Sequence, residues 1–166
     1  MTDSRDSVAL HETTLAVFVQ AIISYFDRIA GVPAEIGTPY LLEGDAELLD
    51  VTAVIGVTGD VQGCVFFTAP VPLLDALLRL IAEYTPTEEL RCDICGEIAN
   101  TFTGNARKQL GPGFLISVPV VFTGQPDRLL WPKNTSRYVI PIVWQGKCSR
   151  LIVCIGNPPA TPGIFC

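Results

Sequence analysis

Residues 85–110 read T-P-T-E-E-L-R-C-D-I-C-G-E-I-A-N-T-F-T-G-N-A-R-K-Q-L. The stretch carries the marks of a long helix. Thr85 suits an N-cap, Pro86 the first helical position, and Glu88 the reciprocal place in a capping box. Gly111-Pro112-Gly113 follows as a stop. At roughly 100° per residue, Ile94, Cys95, Ile98, Ala99, Phe102 and Ala106 share one broad apolar face. Asp93, Glu97, Asn100, Gly104 and Arg107 fall on a narrow stripe opposite. Two members of that stripe are poor helix residues. The Asn amide competes for backbone partners, and Gly costs up to about 1 kcal/mol against Ala in a helix interior. A core requires neither on an outward face. By residue type alone, the stripe reads either as a solvated surface or as a site offering an acid, an amide, a gap and a base.

The helix belongs to a chain of 166 residues, 49% hydrophobic and 17% charged. That size and composition suit one folded domain with a real core. A formal net charge of −6 and the lack of a basic cluster argue against nucleic acid and anionic membranes as partners. The longest apolar runs are interrupted by Asp, Arg, Gln or Pro within about a dozen residues, so no membrane span is expected. Residues 1–12, MTDSRDSVALHE, lack the basic start and apolar run of an export signal. A flexible N-terminus and a cytoplasmic protein with six reduced cysteines are the expectation.

Working outward, residues 13–30 place Leu15, Phe18, Val19, Ile22, Ile23 and Phe26 at helical spacing, ended by Gly31 and Pro33. Residues 31–47 form a connector rich in Gly, Pro and Glu. Leu49–Val57 and Gly63–Thr68 read as a hairpin about Thr58-Gly59-Asp60. Pro70 and Pro72 introduce a second helix ending near Tyr84. After the long helix, strands are expected at Leu115–Phe122, Tyr138–Trp144 and Ser149–Ile155, the last two joined through Gln145-Gly146-Lys147. A polar loop lies between Gly124 and Arg137, and residues 157–166 form a Pro-rich tail. The expected domain is therefore 13–156. Its order of helix, two strands, two helices and three strands implies an α+β fold with helices packed on one face of an antiparallel sheet.

Self-contained catalytic equipment is hard to assemble from this chain. Cys92-x-x-Cys95 has no second pair to complete a zinc site, and its place inside a helix preceded by a helix does not match a thioredoxin motif. Two incidental thiols are the simpler reading. The single histidine, His11, is poorly placed for a triad. There is no G-x-S-x-G elbow, Walker loop or G-x-G-x-x-G.

The segment G-E-I-A-N-T-F-T-G-N-A, residues 96–106, resembles the signature helix of the CheC/CheX/FliY chemotaxis phosphatases. The family element is an acid followed three positions later by Asn, here Glu97 and Asn100. The T-G-D-V-Q-G-C-V-F-F stretch at 58–67 and the order of elements from about residue 13 to 156 resemble the family as well. The single acid-x-x-Asn pair resembles the CheX branch. This resemblance implies a phosphatase acting on the aspartyl phosphate of a CheY-like response-regulator receiver. Asn100 would orient the attacking water, and Glu97 would engage the receiver's lysine. Asp93, Gly104 and Arg107 become candidate partner-binding residues. No metal or cofactor of the chain's own is implied; Mg²⁺ is expected on the receiver. A homodimer through the sheet is also implied, with Gly63–Thr68 or the last hairpin as candidate edges. Two other readings stay open. One is a non-catalytic dimeric module that docks on a receiver or another signalling protein, and the other is a scaffold with a solvated stripe.

Overall fold

The computed structural model describes residues 3–82 and 85–158. Helix α1 spans Asp3–Tyr25 and continues as a π-helical turn, Phe26–Ala30. Two short strands follow, β1 (Glu35–Ile36) and β2 (Tyr40–Leu41), and then the hairpin of β3 (Val51–Gly59) and β4 (Gln62–Ala69). Helices α2 (Val71–Ala82) and α3 (Glu88–Leu110) lead to β5 (Phe114–Ile116), β6 (Val120–Thr123), β7 (Ser136–Trp144) and β8 (Lys147–Gly156). All strand pairs are antiparallel, and the sheet runs β1-β7-β8-β4-β3-β5, with β2 also on β7 and β6 also on β3. This is the expected α+β class.

Strand periodicity decides which residues meet the helices. Val51, Ala53, Ile55 and Val57 of β3 alternate inward, as do Val65 and Phe67 of β4 and Val153 and Ile155 of β8. They pack with Phe18 and Ile22 of α1, Phe26 of the π-helical turn, Leu73, Leu74 and Leu77 of α2, and Ile98 and Phe102 of α3. The opposite sheet face buries Cys64, Phe66, Val139, Ile152 and Cys154. The Gly124–Arg137 loop covers part of it. Trp131 packs on Phe66 at 5.2 Å between ring centroids, and the Arg137 guanidinium lies over the indole at 5.0 Å. Read in sequence as a polar loop, this segment is a lid on the second sheet face.

Several boundaries differ from expectation. The first helix begins at Asp3 and not near residue 13, so residues 3–12 of the stretch read as a flexible N-terminus are helical. His11 is the reason it docks. The imidazole is 8% exposed, packs on the Tyr138 ring at 5.2 Å and shares a 3.2 Å hydrogen bond with its hydroxyl. The segment Val8–Ala30 also has the length and composition of a membrane span, which the sequence reading did not allow. Its buried side, Phe18, Ile22, Tyr25 and Phe26, lines the core.

The strand expected at Leu115–Phe122 is broken into β5 and β6 because Pro119 has no N–H to donate. Ser117 bridges the gap: its N–H donates to the Gly56 carbonyl at 2.9 Å, and its hydroxyl accepts from the Gly56 N–H at 2.8 Å. The proposed dimer edges are corrected too. Gly63–Thr68 lies in β4, between β3 and β8, and the last hairpin is flanked by β4 on one side and β1 with β2 on the other. The expected end of the second helix near Tyr84 and most of the Pro-rich tail lie outside the described residues.

Burial lowers the pKa of His11 from its ordinary value. The folded state then binds a proton less readily than the unfolded chain, so the stabilising contribution is full above the unfolded value and is lost as pH falls through the folded one. Denaturant unfolding at pH 7.5 and 5.5 should show wild type losing more stability on acidification than His11→Gln.

Candidate functional site

The site is built on α3, and its N-terminus is set two residues later than the sequence suggested. Thr87, extended at φ −123° and ψ 164°, is the N-cap, and its hydroxyl accepts from the Leu90 N–H at 3.2 Å. Glu88 and Glu89 therefore stand in the first turn, where they complement the helix dipole, and Glu88 is not a capping-box partner. Arg107 and Lys108 complement the other end. Arg91 grips Asp75 of α2 through two hydrogen bonds, at 2.5 and 3.1 Å, which ties the two helices together.

Packing fixes the rotation of α3 about its axis. Phe102 is fully buried and meets Tyr25 and Phe67 edge-on, each at 5.5 Å between centroids. Cys95 is also fully buried, its thiol facing the carbonyls of Val51 and Phe67 at 3.8 Å. Burial pushes that thiol up to about 12 and raises Cys92 as well, so both are protonated near neutrality. Thr103 satisfies its buried hydroxyl by donating to the Ala99 carbonyl at 2.8 Å. Gly96 allows the closest approach. A Cβ there would lie 3.2 Å from Val121 Cγ2 and 3.6 Å from Pro119 Cγ, so this glycine lets α3 settle against the β5–β6 break.

With the buried face so held, the outward stripe is realised as read. Asp93, Glu97, Asn100 and Arg107 are exposed and Gly104 is half-buried. They form a convex ridge with hollows along its flanks. Asn100, Gly104 and Arg107 border a depression of about 560 Å³ that also includes Asn105 and Lys108. Asp93 and Glu97 border two others. One lies toward Gly96, Pro119 and Val121, and the other is an apolar pocket toward α1 and α2. Around Gly104 nothing lies within 4 Å of where a Cβ would stand.

Sequence reasoning missed two residues that shape this region. Gly96 was visible as a glycine inside a helix, but its need depends on Val121 of β6. Tyr25 is 5% exposed, and burial together with the charge of Glu97 holds its hydroxyl above the ordinary tyrosine range. No group of three or more His, Cys, Asp or Glu is gathered among the described residues in a way that could hold a metal. A carboxylate and a carboxamide presented on a rigid convex helix can enter another molecule's cleft. They can orient a water or a cation there.

The sequence model of the chemotaxis phosphatase family CheX matches residues 51–143, more than half of the chain. The chain belongs to the CheX family. No curated protein sequence matches the chain. Among solved structures, CheX of Vibrio vulnificus superposes with a TM-score of 0.76 at 22% identity, over 86% of this chain and 99% of that one. A CheC-like protein of Shewanella sp. PV-4 gives 0.77 at 20% identity, over 87% and 97%. CheX of Borrelia burgdorferi, solved as a complex with CheY, BeF3 and Mg²⁺, gives 0.71 at 19% identity, over 86% and 97%. Similarity at this level of identity establishes that the CheX chain shares their fold.

The space around Gly104 yields a stability prediction. Gly104→Ala adds a methyl group that meets no atom and removes the glycine penalty, so it should stabilise the fold by about 0.5–1 kcal/mol. Denaturant titration of the two proteins measures this directly.

Proposed function

We propose that this CheX chain accelerates hydrolysis of the aspartyl phosphate on a CheY-like receiver domain. The observation that carries the reading is the pairing of Glu97 and Asn100 on the exposed ridge of α3 in a chain of the CheX family. The CheX of Borrelia burgdorferi that was solved with CheY, BeF3 and Mg²⁺ supports a receiver as the partner class.

The proposed chemistry needs no covalent nucleophile from this chain, because water is the attacking group. Water attacks phosphorus in line, the receiver's aspartate carboxylate leaves, and inorganic phosphate is released. A phosphoryl transfer of this kind is accelerated chiefly by positioning and charge stabilisation. In this reading the receiver supplies Mg²⁺ and a lysine, and the CheX chain supplies none of its own metal. Asn100 inserts beside the phosphoryl group and holds the water through its amide, which is uncharged and does not repel the phosphoryl oxygens. Glu97, one turn earlier, engages the lysine and fixes the docking register. Asp93 and Arg107 extend the contact along the ridge, and the gap at Gly104 admits the partner's backbone. A homodimer and a cytoplasmic location belong to the same reading. A dimer built edge to edge through the sheet would use the outer strands, β1–β2 or β5–β6.

Asn100→Ala should retain the fold, since the residue is exposed, and lose about 100-fold in the rate of receiver dephosphorylation. The measurement is decay of a phosphorylated receiver from the chain's own genome with each protein. Equal decay with wild type and variant would sink the proposal. Binding without any acceleration would favour a docking module.

A further inference from the structure

Beside Glu97, α3 borders a pocket of about 280 Å³ whose apolar lining the phosphatase chemistry does not use. Its walls come from three helical elements: Tyr25 and Ile29, Leu78 and Ile81, and Leu90 and Ile94. Asp93 and Glu97 stand beside them. Ile29 and Ile81 remain 46% and 42% exposed, one on each wall. The π-helical turn contributes directly, because Phe26 and Ala30 turn into the core while Ile29 is left facing out.

Charge distinguishes this hollow from an ordinary surface crevice. Neither acid has a cation partner, since Arg91–Asp75 is the one salt bridge among the described residues. Tyr25, held protonated by burial and by the Glu97 charge, leaves the floor neutral. An apolar hollow with two adjacent negative charges complements an apolar side chain that has a cation next to it. Glu97 belongs to both the pocket and the ridge, so whatever fills the hollow is attached to whatever Asn100 enters.

We propose that this pocket is the part of the docking surface that discriminates between receivers. It takes an apolar side chain that the phosphorylated receiver carries beside the lysine met by Glu97. The inference rests on the receiver reading above. A partner whose cleft admits the α3 ridge straddles it, with one lip descending on Ile29 and Ile81 and the other on the Pro119 side. The lysine and the phosphoryl group are common to the partner class and cannot tell one receiver from another. An apolar contact beside them can, because filling or leaving empty a pocket changes the apolar area removed from water.

The probes are receiver domains from the chain's own genome, loaded with beryllofluoride and Mg²⁺ for calorimetric binding and phosphorylated with acetyl phosphate for turnover. Ile29→Glu and Ile81→Glu alter opposite walls at part-exposed positions, and thermal unfolding verifies that each folds. Each should raise Kd and KM at least about tenfold, with the loss in kcat/KM carried mainly by KM. Leu130→Glu, at a 73% exposed position in the Gly124–Arg137 loop, should leave both unchanged. If neither pocket variant alters Kd or KM while Asn100→Ala is slow, the pocket has no such role and the phosphatase reading stands. Binding that Ile81→Glu abolishes, without any acceleration of phosphoryl decay by wild type, upholds the pocket and overturns the phosphatase. Failure of every receiver to bind overturns both.

Discussion

The burial of Phe102 between Tyr25 and Phe67 is the contact on which the presentation of this surface depends. A helix lying on a sheet can rotate about its own axis, and the stripe of residues it shows to solvent rotates with it. Three aromatic rings in edge-on contact define one orientation far better than a patch of aliphatic side chains would. Phe102 lies near the middle of α3, between α1 and β4, so it registers the helix against both layers at once. Cys95 and Ala106, toward the two ends of the same face, are fully buried and hold it along its length. The Arg91–Asp75 pair adds a lateral tie to α2. Glu97 and Asn100 thus stand on a rigid support, although neither side chain forms a hydrogen bond or ion pair within the described residues.

The convexity of the surface sets what the molecule can do. Most enzymes surround a small substrate with a concave, water-excluding pocket. Here the groups of interest project, and the hollows lie on the flanks. Such an arrangement has little use for a free metabolite but suits a macromolecule with a cleft of its own. Docking then excludes water from both partners together, which strengthens the few electrostatic contacts made inside the joint site. The negative charge of Asp93 and Glu97 at one end of the ridge and the positive charge of Arg107 and Lys108 at the other also give it a direction.

Much of this arrangement was legible because α3 is long and strongly periodic. Its buried face and its stripe follow from spacing alone, and the family resemblance drew attention to Glu97 and Asn100. The cap was misread because T-P-T offers two threonines, and only the geometry reveals that Thr87 reaches the Leu90 N–H. Strands of two residues, such as β1 and β2, leave no periodic trace, so the covering of β7 was invisible. The requirement for Gly96 is non-local. It arises from Val121 of β6, whose Cγ2 would lie 3.2 Å from a Cβ at this position. His11 failed as a signal for a similar reason: the exposed Val8 and Leu10 around it give no apolar stripe, and its partner Tyr138 is distant in sequence.

The π-helical turn at Phe26–Ala30 also constrains how the chain can change its length. Phe18, Ile22, Phe26 and Ala30 follow one another at four-residue intervals. In an α-helix each such step overshoots a full turn by about 40°, and the wider π turn swings the last step back toward the core. Removing one residue from this turn would restore regular α geometry at nearly the same rotation relative to Gly31, because a π turn accommodates one extra residue within a single turn of the helix. His11, Phe18 and Ile22 would keep the face they turn toward their partners. A deletion within the regular turns of α1 would instead rotate one side of the helix against the other by roughly 100°, so the π turn is the place in this helix where one residue can be lost with the least disturbance.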